Sequence, residues 1–257
     1  MRELWTTLRP TAFGFLGAVI AIAAWFILSG AGFIPGASSR PSDDGFEQRV
    51  RDYILANPHV IIEAVQRMET DQRVAETGEL GQLIRANNAE ILNDPATPVG
   101  GNPQGDVSLV EFFDYNCPYC RRVASTLIQI EESDPDLRIV YKEWPILGPN
   151  SEFAARAALA AHRQGKYVAF HKGLMLGSGL VDEARVVTVA TEVGLDLDRL
   201  RQDMEAPEVD ESIARNRALA RVLRIGGTPA FVIGDRLLPG AADAKVIRSL
   251  IEQARPR

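Results

Sequence analysis

The chain of 257 residues carries a formal charge of −6, with 46% hydrophobic and 24% charged residues. That is the composition of a globular protein with one good-sized core and appendages, and a pI near 5.2 gives no basic bias toward nucleic acid. The two cysteines lie too close together to staple a large fold, and the three histidines, His59, His162 and His171, are too scattered for a zinc site.

The N-terminus reads as a membrane signal. Arg2 and Arg9 lead into an uncharged stretch from Thr11 to Ser39, almost wholly apolar between Ala12 and Leu28. Two readings of residues 1–38 stand. One is a signal peptide cleaved near Ser29-Gly30-Ala31. The other, which is preferred, is an uncleaved transmembrane anchor, because the apolar run extends to Ile34 and approaches the roughly 20 residues needed to span a bilayer. In both the arginines stay cytoplasmic and the rest of the chain is exported, to where disulfides are permitted.

Ser38 to Gly45 reads as a flexible linker. Residues 43–93 are helical in pattern, with a break at Asn57-Pro58 where Asn57 is expected to cap a new helix and Pro58 to open it. Ile54, Ile61, Val65 and Met68 form an apolar stripe at helical spacing. Gly78 and Gly81 are expected to weaken the middle and limit any coiled coil to the first helices. The arm either packs on its own domain or associates with the same segment of other copies.

Asp94 to Asp106 has the proline and glycine density of a domain boundary. From 95 to 257 the pattern is α/β. Val107 to Tyr115 is a strand buried on both faces. Leu137 to Trp144 is a second strand. Ser151 to about Arg224 is a long helical insert, roughly 150–225, with Ser151 as its cap. Ala230 to Ile233 and Arg236 to Leu238 form a hairpin across Gly234-Asp235, and Ala241 to Gln253 is a closing helix.

The chemistry sits in Cys117-Pro118-Tyr119-Cys120, between the first strand and a helix. A thiol at a helix N-terminus meets unpaired N–H groups and the positive end of the helix dipole, which favour the thiolate. Cys117 is therefore the nucleophile, and Cys120, one turn on, the resolving thiol. Such exchange requires no cofactor and no metal.

Glu111 to Cys120, E-F-F-D-Y-N-C-P-Y-C, resembles the DsbA-like branch of the thioredoxin superfamily, and so does Gly227-Thr228-Pro229 before a strand. The resemblance implies a thioredoxin-like fold with a helical insertion. It implies that Pro229 is a cis proline against the cysteines, that Thr228 binds substrate through its backbone, and that Glu111 is a buried acid handling the Cys120 proton. The alternative for Glu111 is a strand-edge carboxylate facing solvent. His171 is read as a packing or hydrogen-bonding histidine, and the sequence does not place Lys142 or Glu143. The segments around Asp94 and Lys142, and the arm from Arg51 to Val65, resemble the ScsC group, whose N-terminal segment oligomerises.

The expectation is therefore a thiol-disulfide oxidoreductase on the periplasmic side of the bacterial inner membrane, or in the soluble periplasm if the leader is cleaved. Its clients would be exported cysteine-containing proteins, and a membrane protein would be its redox partner. The arm would make a homodimer or homotrimer. The motif leaves oxidase and isomerase open, although threonine before the proline resembles the DsbC and DsbG isomerases more than the DsbA oxidase. The alternatives are a copper-tolerance thiol protein and a non-enzymatic copper-binding envelope module.

Overall fold

The structure is a computed structural model that describes residues 44–256. The expected signal or anchor lies outside the described residues, and among those no helix is long and apolar enough to cross a membrane. The chain parts into two compact units between Arg67 and Met68.

In the first unit, helix α1 (Asp44–Ala56) ends at the expected break and α2 (His59–Ala86) follows. The expected cap is corrected. Asn57 turns its side-chain amide back onto the Tyr53 carbonyl at 2.9 Å, closing α1 instead of opening α2, and α2 begins at His59, one residue past Pro58. The apolar side chains of Tyr53, Leu55, Ile61, Ile62 and Val65 are exposed in this unit.

Gly78 and Gly81 do not interrupt α2, a second correction. A Cβ on Gly81 would come within 3.3 Å of the Asp235 carbonyl. The glycine therefore lets the helix pass close to a hairpin turn, where Arg85 pairs with Asp235 at 2.5 Å. After the short helix α3 (Asn88–Leu92), the stretch read as a domain boundary contains strand β1 (Val99–Gly101). Gly101 has φ +64°, and a Cβ there would fall 2.3 Å from the Leu137 carbonyl, so only glycine fits.

The second unit is built on a five-stranded sheet in the order β1-β3-β2-β4-β5. Its strands are β2 (Val107–Phe113), β3 (Leu137–Glu143), β4 (Ala230–Ile233) and β5 (Arg236–Pro239), beside β1. β2 and β3 are parallel, and every other pair is antiparallel. A parallel pair needs a crossover, supplied by α4 (Pro118–Ser133). α4 is amphipathic by its spacing: Cys120, Val123, Ala124, Leu127 and Ile130 face inward. Gly234, with φ +60°, opens the two-residue turn between β4 and β5.

The region read as one long helical stretch is five helices: α5 (Pro149–Arg163), α6 (Tyr167–Leu176), α7 (Glu183–Glu192), α8 (Leu197–Met204) and α9 (Pro207–Val222). Asp182 and Asp196 cap α7 and α8 through their side chains. Ser151 caps nothing, because Gly148 holds that position and Ser151 is buried inside α5. Helix α10 (Ala244–Ala254) closes the fold.

The sheet buries both faces. Leu109, Phe113, Ile139, Tyr141 and Phe231 pack toward α4, α6 and α10 in the larger core. Val110, Phe112, Val140 and Val232 pack on the other side with Ile84, Ile91 and Leu219. The end of α2, through Ile84, and α3, through Ile91 and Leu92, thus contribute to the core of the second unit.

Candidate active site

The site forms where β2 ends and α4 begins. Cys117 is the N-cap of α4 in extended conformation (φ −76°, ψ 118°), with Pro118 at the first helical position. That position suits proline, whose missing N–H would find no partner there in any case. Cys117 is 4% exposed and Cys120 is fully buried, and both are free thiols.

The Cys117 thiol donates to the Thr228 carbonyl at 3.3 Å. The Thr228-Pro229 peptide is cis. Thr228 is partly exposed and Pro229 buried, and the Pro229 carbonyl accepts from Gly240 N–H at 2.8 Å. The first cysteine and the Thr-Pro pair, separated by 111 positions, thus meet as the resemblance implies.

Glu111 sits on the central strand, 1% exposed, and does not face solvent. Burial pushes its carboxyl up to about 8. Its Oε1 is buried without a hydrogen-bond partner. Burial likewise pushes the Cys120 thiol far above its ordinary value, and the charges of Glu111 and Cys117 act in the same direction. The second thiol and the buried acid are therefore electrostatically coupled, and both hold their protons tightly.

Lys142 and Glu143 are both buried, on opposite faces of β3. Lys142 donates to the Glu90 carbonyl at 2.8 Å and to Thr97 Oγ1 at 2.9 Å, away from the cysteines. Glu143 Oε1 accepts from Tyr115 at 2.9 Å and from Tyr167 at 2.7 Å. His171 is buried with Nδ1 3.1 Å from the Tyr115 phenol oxygen.

Three residues that the sequence reading did not single out organise the approach to Cys117. Asp114 is 2% exposed. Its carboxylate accepts from Asn116 N–H at 2.7 Å and Ser151 Oγ at 2.7 Å, and from the N–H groups of Ile146 at 2.8 Å and Leu147 at 3.0 Å. Asn116 exchanges two hydrogen bonds with the backbone of Val181, at 3.1 and 2.9 Å. Arg121, one residue past Cys120, donates to the carbonyls of Gly177 and Gly179. The aspartate-to-amide bond two residues along is an Asx turn. An acid directly after a buried strand with Asn two positions later was the available signal.

Through these bonds the active-site loop fixes two segments that carry exposed apolar side chains: Ile146 and Leu147, and Leu176 and Leu180. Tyr119, inside the motif, is 53% exposed with Arg122 stacked 5.2 Å from its ring centre.

Residues 108–252 match the DSBA-like thioredoxin domain, and residues 44–75 match the copper resistance protein ScsC N-terminal domain. The structure is similar to that of a thioredoxin-like oxidoreductase from Silicibacter pomeroyi DSS-3, with 53% identity and a TM-score of 0.64 over 65% of this chain and 97% of that one. It is also similar to the catalytic domain of Proteus mirabilis ScsC, with 30% identity and a TM-score of 0.62 over 68% of this chain and 97% of that one. Among curated proteins, the Na(+)/H(+) antiporter NhaA of Herminiimonas arsenicoxydans is 28% identical over 64% of this chain. The chain spans only 27% of that antiporter's length.

Proposed function

The chain belongs to the DSBA-like thioredoxin domain family, a family of thiol-disulfide oxidoreductases, and from that membership and the site geometry we propose that Cys117 and Cys120 exchange disulfides with exported proteins. The observation that carries the reading is the Cys117 thiol at the start of α4, 3.3 Å from the Thr228 carbonyl beside cis-Pro229. An extended client segment laid along Thr228 would bring its own sulfur to Cys117.

Cys117 attacks one sulfur of a client disulfide. That S–S bond breaks, the other client sulfur leaves with the electron pair and takes a proton from solvent, and a mixed disulfide joins Cys117 to the client. In isomerisation a second client thiol attacks the mixed disulfide and releases Cys117 with no net electron transfer. Where none does, Cys120 attacks the Cys117 sulfur, the client thiol leaves, and two electrons have passed to the client. Because Cys120 holds its proton tightly, that resolving step needs a base within the fold, and Glu111 is the buried carboxylate coupled to it. The exposed apolar side chains of Tyr119, Ile146, Leu147, Leu176 and Leu180 supply the surface that receives an unfolded client.

The direction of exchange is that of an isomerase, fed with electrons by a membrane redox partner on the periplasmic side. The support is the exposed apolar side chains of α1 and α2 together with the ScsC N-terminal match over residues 44–75. Association through the arm into a dimer or trimer would set several Cys117 sulfurs around one client. Thiol trapping of Cys117 and Cys120 in the cell tests the direction: a mostly reduced pair fits an isomerase, and a mostly oxidised pair overturns it in favour of an oxidase.

A further inference from the structure

The stretch from Trp144 to Gly148 joins β3 to α5, which opens with Pro149. Its backbone has few donors to place. Trp144 N–H donates to the Phe113 carbonyl at 3.0 Å and extends the alignment of β2 with β3. Pro145 has no N–H. The N–H groups of Ile146 and Leu147 both go to one oxygen, Asp114 Oδ2, at 2.8 and 3.0 Å. The side chains of the same two residues stay outside, 42% and 52% exposed. A loop free to move would gain by turning such side chains out of water. Here the polar backbone is held inward on a buried acid, and the apolar side chains are held out.

The other oxygen of Asp114 faces the active-site loop. Oδ1 accepts from Asn116 N–H and from Ser151 Oγ, each at 2.7 Å. Ser151 Oγ in turn accepts from Asn116 Nδ2 at 3.3 Å. The Asp114 carbonyl accepts from Cys117 N–H at 3.1 Å. One residue thus grips the turn that carries Cys117 and, through its second oxygen, the loop that carries Ile146 and Leu147. Four donors converge on a side chain that is 2% exposed. A carboxylate meets all four because it accepts at both oxygens and donates nothing. An amide would set its own N–H groups against two of those donors.

We propose that Asp114 is a positioning residue that sets which clients Cys117 accepts. By holding Ile146 and Leu147 in one frame with Cys117, it selects clients that carry large apolar side chains beside the reacting disulfide. This rests on the reading that Cys117 attacks a client disulfide. The pinned loop makes and breaks no covalent bond. It adds docking contacts that a small polar disulfide cannot use. Apolar side chains beside an accessible disulfide mark a client that has not folded, because folding buries them. Without the pin, the loop would have to be ordered each time a client docked, which weakens docking.

The test compares two disulfides in single-turnover reactions with the reduced protein. One is glutathione disulfide, small and charged. The other is a disulfide-bonded peptide with leucine beside each cysteine. Asp114→Asn should raise the half-saturating concentration of the leucine peptide by about tenfold, with the limiting rate changed far less. The preference for the peptide over glutathione disulfide should fall by the same factor. Ile146→Ser with Leu147→Ser keeps every backbone bond to Asp114 and should lower the preference equally. Adding Asp114→Asn to that pair should lower it little further.

A parental preference in Asp114→Asn, or a loss that falls equally on both disulfides, overturns the positioning role alone. A parental preference in the double serine variant does the same. A reduced parent that exchanges with neither disulfide overturns the reading of Cys117 and the proposal with it. Amide hydrogen exchange on the unaltered protein needs no variant to fold. The N–H groups of Ile146 and Leu147 should exchange slowly although their side chains are exposed. Rapid exchange at both overturns the pin.

Discussion

Lys142 and Glu111, buried on opposite faces of the central strands, are treated in opposite ways. On the face toward α2, α3 and α9, Lys142 is fully buried and its ammonium is spent on the Glu90 carbonyl and Thr97 Oγ1. Beside it Arg138 donates to the Leu92 carbonyl at 2.8 Å. Both cations meet the carbonyl end of α3, where the helix dipole is negative. On the face toward α4 and α6, Glu111 is as deeply buried but keeps an oxygen without a partner. A satisfied buried charge holds structure, whereas an unsatisfied one beside a reactive sulfur keeps a proton available for chemistry.

The largest break is at the sulfur that the second face serves. Cys117→Ser should reduce peptide disulfide exchange by at least about a thousandfold, since a serine hydroxyl is not a nucleophile at neutral pH without a base beside it. A stopped-flow exchange assay reads this directly, and a rate within tenfold of the parent would refute the assignment of the nucleophile.

Glu111→Gln should slow the resolving step by about 10²-fold and remove its dependence on pH near 8. The same substitution should stabilise the fold. The carboxyl's folded value of about 8 lies above its ordinary 4.5, so it costs the folded state nothing below pH 4.5. The penalty grows as pH rises and is complete above about 8. Urea denaturation should therefore show parent and variant alike at low pH, with the variant ahead by roughly 2–4 kcal/mol at pH 8. Equal stability at pH 8 would refute the burial of an ionisable Glu111.

Lys142→Met should leave the chemistry alone. It leaves the Glu90 carbonyl and the Thr97 hydroxyl unmet and should destabilise the protein by about 1–3 kcal/mol above pH 10.5, where the lysine is neutral in both states, with the loss shrinking toward pH 8 and exchange rates unchanged in the protein that remains folded. A lost exchange rate in folded Lys142→Met would blur the contrast between the faces. Burial lowers the Lys142 ammonium to about 8. The penalty for burying that charge is therefore fully present below about 8 and fades toward the ordinary value of 10.5, so stability from this group rises with pH over that window.

How much of this was legible in the sequence follows the same division. Cys117, Cys120 and the strand before them were readable because the signal is local: a continuous apolar run, then C-x-x-C at a helix start. Glu111 and Pro229 were placed by resemblance. Asp114 and Tyr115 were passed over because their meaning depends on Ser151, Leu147 and His171, which lie 37, 33 and 56 positions away. Lys142 could not be placed because alternation along β3 does not say which face receives a helix. Gly81 was read only as a weak point of the arm because the close approach of Asp235 is invisible to propensity.

The smallest expected effect on chemistry lies in the arm. Ile61→Asp with Val65→Asp should lower the mass of the chain in light scattering to that of a monomer, with peptide exchange by each copy little changed. Substitution is the fair test, since cutting the chain at Pro95 would also remove Ile84 and Ile91 from the core of the second unit. An unaltered chain that is already monomeric at micromolar concentration would sink the arm's role and the isomerase reading with it.

The central claim, that Cys117 attacks and Cys120 resolves, is tested most directly by trapping. Cys120→Ser protein is mixed with a disulfide-bonded peptide at neutral pH, and the adduct is weighed and mapped by mass spectrometry. The account predicts a stable adduct of one peptide per chain at Cys117, while Cys117→Ser protein stays free of adduct at Cys120. Adduct forming on Cys120 of the Cys117→Ser protein as fast as on Cys117 of the Cys120→Ser protein would contradict it.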